Sequence, residues 1–128
     1  MATLADAAAI ALGLPEATEA ERHGNRTWFV GKTAFACERP CSKADIKRFG
    51  DQEAPAGPIL AVRVEDLNEK EAVLAAGTGG IFTIPHFDGY SAVLVQLGVV
   101  SERALREAIT DGWLACAPKD LASRYARS

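Results

Sequence analysis

Three tight-turn signals, each set between short β-prone runs, constrain this chain most: Gly24-Asn25, Gly31-Lys32 and Asp88-Gly89. Turns this short join antiparallel neighbours, because parallel strands need a crossover of about a dozen residues. The stretch from Glu19 to Val30 folds back at the first turn and ends in Thr27-Trp-Phe-Val30, and Thr33 to Cys37 returns from the second. Period two places Trp28 and Val30 on one face of this meander and Phe29 on the other. Asp88-Gly89 predicts a hairpin between a strand from Ile81 to Ile84 and a longer one from Ala92 to Leu97. Ile59-Leu-Ala-Val-Arg-Val64 is a further strand.

Helices fill the remaining segments. Thr3-Leu-Ala-Asp6 has capping-box spacing, Leu4, Ala7, Ala11 and Leu14 follow at helical period, and Gly13 and Pro15 stop the run. Asp66-Leu-Asn-Glu69 caps a second helix with Leu67, Val73 and Leu74 as its expected buried face, and Gly77 ends it. Ser101 caps a long helix whose Leu105, Ile109, Trp113 and Cys116 share one stripe, and Pro118 restarts a shorter helix with Leu121 and Tyr125. Between Glu38 and Pro58 the β pattern lapses, although Ser42-Lys-Ala-Asp45 predicts a helical turn or two through Phe49. This order predicts an α+β two-layer sandwich, an antiparallel sheet with helices packed on one face, spanning residues 1–128 as one domain.

Charge narrows the function. The formal net charge is −3 and the pI about 5.4, so nucleic acid must be met by a local patch and not by bulk charge. Arg39, Lys43, Lys47 and Arg48 form the densest basic cluster, with Lys43 and Lys47 one helical turn apart. The same residues also read as a solvated face balanced by Glu38, Asp45, Asp51 and Glu53, and that reading is preferred. Lys119, Arg124 and Arg127 form a weaker cluster that suits a helix C-terminus.

Cys37, Cys41 and Cys116, with His23 and His86, lack paired metal-ligand spacing, so neither metal nor cofactor is expected. No apolar run approaches the ~20 residues of a membrane helix, and Ala8 to Leu14 lacks the features of a signal peptide. Reduced thiols in the cytoplasm are the expectation. His86 beside Asp88 is the most tempting acid–base pair, but no nucleophile, phosphate-loop or metalloprotease motif accompanies it, and turn geometry explains the pair as well. Phe87 and Tyr90 flank that turn; with His86 and Trp28 they are expected to build an exposed rim for a protein or small ligand. The glycines of Gly77-Thr-Gly-Gly80 follow a helix instead of leading into one, which favours a connector over a phosphate cradle.

Leu14-Pro15-Glu16 with Glu19, Trp28-Phe-Val-Gly-Lys-Thr-Ala-Phe-Ala36, the strand Ile59 to Val64 with its acidic helix, His86 at the hairpin turn, and Trp113-Leu114 with Pro118-Lys119 together resemble the MmcQ/YjbR family from about Leu4 to Tyr125. The resemblance implies a compact antiparallel sheet backed by helices, similar to frataxin-like and secretion-chaperone-like folds. It also implies a protein of the kind labelled DNA-binding by likeness to a "double-wing" domain, while the lack of catalytic motifs makes a non-enzymatic protein the expectation. Fold likeness alone is an associational argument. The expected function is therefore weak, salt-sensitive DNA binding through Arg39, Lys43, Lys47 and Arg48, or binding of a protein or small ligand at the Trp28, His86, Phe87 and Tyr90 rim.

Overall fold

The computed structural model describes residues 3–22, 24–39, 58–83 and 89–126. The expected helix from Ser42 to Phe49, with Lys43, Lys47 and Arg48, lies outside them, as do His23, Cys41, His86 and Phe87. Among the described residues, six strands form one antiparallel sheet: β1 (Ala17–Arg22), β2 (Asn25–Val30), β3 (Thr33–Glu38), β4 (Ile59–Arg63), β5 (Ile81–Phe82) and β6 (Ala92–Gln96), in the order β1-β2-β3-β4-β6-β5. The meander and the β5–β6 pairing are those the turn signals predict, with Phe82 opposite Leu94 and Gly89 at a positive φ of 79°.

Among the described residues the helices are α1 (Leu4–Leu12), α2 (Leu67–Ala75), α3 (Glu102–Cys116) and α4 (Lys119–Ala126). Thr3 and Asp6 form the reciprocal capping box, and Asp66 and Ser101 accept from the backbone N–H of Glu69 and Ala104. Strand alternation then sorts the side chains. Trp28, Val30, Leu60, Val62, Val95 and Leu97 join Leu105, Ile109 and Trp113 in the main core, beneath the helices.

Two contacts lock α3 in place. A Cβ on Gly112 would stand 2.8 Å from Val62 Cγ1, 3.0 Å from the Arg63 carbonyl and 3.1 Å from the Phe35 carbonyl. The neighbouring Trp113 is fully buried and donates from Nε1 to the Pro15 carbonyl at 3.0 Å. That carbonyl belongs to the turn joining α1 to β1, where Glu16 holds a left-handed φ of 55°.

One expectation needs correction. The buried face of α2 is not built on Leu67, which is 49% exposed, but on Lys70 at 6%. With Asp66 fixing the first turn, Lys70 points inward and its Nζ donates to the Tyr90 carbonyl at 2.9 Å. The face of the sheet opposite the helices is also partly apolar: Ile59, Ala61, Ala92 and Leu94 form a second buried cluster, with Cys37 and Phe82 against it. The near-continuous apolar run of β4 reflects burial on both faces.

Trp113→Ala is expected to lower unfolding free energy by about 3–5 kcal/mol. Gly112→Ala should cost roughly 1–3 kcal/mol by overpacking, although alanine is the better helix former. Chemical denaturation measures both; a stabilised Gly112→Ala protein would mean that α3 is free to lift.

Candidate functional site

On the sheet face away from the helices, one row of paired residues crosses five strands: Thr27, Cys37, Ala61, Leu94 and Phe82. The first three are small, and with Ala34 and Ala92 they leave a concavity of about 340 Å³ between larger residues at its edge. Arg22 ends β1, Arg63 ends β4, Arg39 follows β3 and Tyr90 precedes β6, and all four line the cavity. Three arginines thus line one concave surface, with Glu38 the carboxylate among its described lining residues.

Their positions are set by ordinary sheet geometry and by aromatic partners. Arg39 donates its backbone N–H to the Ile59 carbonyl at 2.7 Å, which fixes the chain as it leaves β3. Arg22 lies over the Phe29 ring at 5.5 Å and Arg63 over the Tyr90 ring at 5.4 Å, within cation–π range. Arg63 also donates from Nε to the Ser91 carbonyl at 3.2 Å, one of its five donors. Glu38 accepts the backbone N–H of Arg26 at 3.4 Å. Burial pushes the Cys37 thiol up, against the opposing pull of an Ala61 backbone hydrogen bond and of Arg39 and Arg22, so it is held protonated at neutral pH. Burial likewise raises the Cys116 thiol, which lies outside this lining. Chemically the arrangement can hold an anion beside an aromatic face.

Of the residues singled out in the sequence, Arg39 and Tyr90 come together here. Trp28 does not. It is fully buried on the opposite face, beneath Arg26, and donates from Nε1 to Glu19 Oε1 at 2.8 Å. Arg26 clasps the same carboxylate through Nη2 at 2.8 Å and Nε at 3.3 Å, and this hydrogen bonding holds Glu19 below its ordinary pKa. Trp28 is therefore a core residue whose indole N–H is satisfied at the sheet margin, and it takes no part in an exposed rim. Lys43, Lys47, Arg48, His86 and Phe87 lie outside the described residues. Arg22 and Arg63 escaped the sequence reading; the available signal was an arginine closing the apolar run of β4.

A second hollow, about 640 Å³, runs along the helical side. Val62, Val93 and Ile81 floor it, α2 forms one bank, and α3 with the start of α4 forms the other. Glu65 and Glu69 stand on the first bank, Glu107 and Asp111 on the second. The Asp111 carboxyl is pushed up by partial burial and then by Glu69 and Glu107. The glycine loop behind this hollow acts as a connector: Gly77 closes α2 at φ 68°, and Gly80 packs its backbone on Val100.

Among the described residues, no group of three or more His, Cys, Asp or Glu side chains is placed to hold a metal, and no helix is long and apolar enough to cross a membrane. Uncharacterized proteins of Mycobacterium tuberculosis and of Mycobacterium bovis are each 45% identical to the chain over 128 residues, covering 98% of this chain and 96% of theirs. No family model and no solved structure matches the chain.

A carboxyl whose folded pKa is raised costs stability once ionised, and the cost fades as pH falls through that raised value toward the ordinary ~3.9. Asp111→Asn should therefore raise the melting temperature at neutral pH, with the gain shrinking toward pH ~4. Thermal melts of both proteins across that range test it; a gain that persists undiminished in acid would assign the effect to something other than charge.

Proposed function

The chain belongs to one family with these mycobacterial proteins, and we propose that it is a non-enzymatic binding protein whose arginine-lined sheet cavity takes a small ligand bearing a phosphate or carboxylate group. The observation that carries this reading is the convergence of Arg22, Arg39 and Arg63 on one concavity floored by small side chains. Guanidinium groups bind such anions in bidentate fashion, and rings beneath two of them limit the freedom lost on binding. At about 340 Å³ the space falls near the lower end of the ~300–1,000 Å³ usual for small-molecule sites. The protonated thiol of Cys37 is a poor nucleophile, which favours binding over covalent chemistry. The MmcQ/YjbR resemblance and a cytoplasmic location are parts of the same proposal.

Weak duplex DNA binding is the second reading, favoured by the position of Arg39 beside two further arginines on one sheet face. A concave site takes one phosphate with its substituent more readily than it takes several phosphates of a duplex.

Isothermal titration with adenosine monophosphate and with pyrophosphate at low salt tests the proposal. Each charged hydrogen-bond partner is worth about 1.5–3 kcal/mol, so Arg63→Gln or Arg22→Gln should weaken binding by about tenfold or more. Arg63→Lys should recover only part of it, since an ammonium lacks the planar fork. Undetectable binding of both probes, or affinity untouched in the Arg22→Gln, Arg63→Gln double variant, would sink the small-anion reading. A labelled duplex that binds with a log–log salt slope near about −3.6, the value for four phosphate contacts, and that is lost in Lys43→Glu, Lys47→Glu, would install DNA in its place.

A further inference from the structure

Within the arginine-lined cavity, Arg22 and Arg63 stand at opposite ends. Arg22 pairs with Asn25, two residues before Thr27 in the row that joins Thr27, Cys37 and Ala61. Arg63 lies two residues past Ala61, in the opposite direction along the sheet. Each is then held by a ring. The Phe29 contact at 5.5 Å draws Arg22 along β2 toward that row. The Tyr90 contact at 5.4 Å, with the Nε bond to the Ser91 carbonyl, keeps Arg63 beside the lead into β6. β2 and β6 are three strand spacings apart in the order β2-β3-β4-β6, or roughly 14 Å at ~4.8 Å per strand.

The ground between these poles is neutral. Ala34, Cys37 and Ala61, the lining residues of β3 and β4 that fall there, carry no charge. Burial keeps the Cys37 thiol protonated, whereas a thiolate would repel an anion laid across it. Thr27 donates its hydroxyl hydrogen to the Asn25 carbonyl at 3.2 Å. Glu38, the carboxylate among the described lining residues, directly precedes Arg39, and the two act on the Cys37 thiol with opposite sign. They partly offset one another, so the two separated cations that matter are Arg22 and Arg63.

We propose that the cavity takes a linear dianion, a molecule with an acidic group at each end, one bound by Arg22 and the other by Arg63. This rests on the small-anion reading above and specifies its class of ligand. A bidentate carboxylate–guanidinium pair holds its two central carbons about 4 Å apart, so two such pairs leave on the order of 6 Å of the span for the spine, about the length of adipate. A single anion satisfies one end only. A short dianion has the charge and lacks the reach.

Isothermal titration of the full chain at low salt compares adipate with hexanoate, which keeps the length and loses one acid, and with malonate, which keeps both acids and loses the length. Hexanediol bisphosphate against hexyl phosphate and pyrophosphate runs the same comparison with phosphate ends. The long dianion should bind at least about tenfold more tightly than either of its controls. Arg22→Gln and Arg63→Gln should each bring it down to the level of the single-ended control. If Arg63→Gln melts early, Arg22→Gln decides, since Arg22 is exposed. An advantage of the long dianion in either series supports the inference, and the series that shows it names the acid. No advantage in both series, or an advantage kept in the Arg22→Gln protein, overturns it. In that event, arginine-dependent binding of adenosine monophosphate or hexyl phosphate leaves the small-anion reading standing, whereas failure of every probe to bind removes both.

Discussion

At Gly112 the backbone of α3 sits so close to β3 and β4 that a single added carbon would meet two carbonyl oxygens and a valine methyl. Backbone cannot yield as a side-chain tip can, so this contact sets both the height and the lateral position of the helix. Trp113, the next residue, is thereby carried to the turn after α1, where its indole N–H meets Pro15. Leu105 and Ile109 fall on the same stripe and are fully buried. The groove beside α2 runs along the other flank of the same helix.

The two sides of the sheet have opposite electrostatic characters. Arginines from three places in the chain gather over small side chains on one face, while carboxylates border the groove on the other. A net charge of −3 averages these away. The local fields decide what each surface attracts, since charges separated by more than about 8–10 Å are screened from one another at ordinary ionic strength.

Much of this architecture was legible because it rests on short-range signals. Glycine turns, capping residues and period-two or helical stripes act within a few residues, and the hairpins, the caps and the burial of Trp113 follow from them. The site was less legible because it is assembled across strands. Arg22, Arg39 and Arg63 share no motif, and only the register of β1 to β4 brings them together. Trp28 misled for a related reason: an indole with a polar tip suits an exposed margin as well as a core position, and Glu19 on the neighbouring strand settles which. Lys70 shows the limit of reading hydrophobicity alone. A lysine is rarely this buried, but a backbone carbonyl at 2.9 Å gives its ammonium somewhere to go.

The outermost strands carry a consequence for assembly. A sheet margin exposes unpaired N–H and C=O groups that can recruit another chain into a growing ribbon. Here one margin is β1, almost wholly exposed and bearing Glu19, Glu21 and Arg22, and the other is β5, two residues long. An incoming strand would meet fixed charge at the first and find room for little pairing at the second. Any self-association of the protein is thereby directed away from ribbon growth and toward its faces.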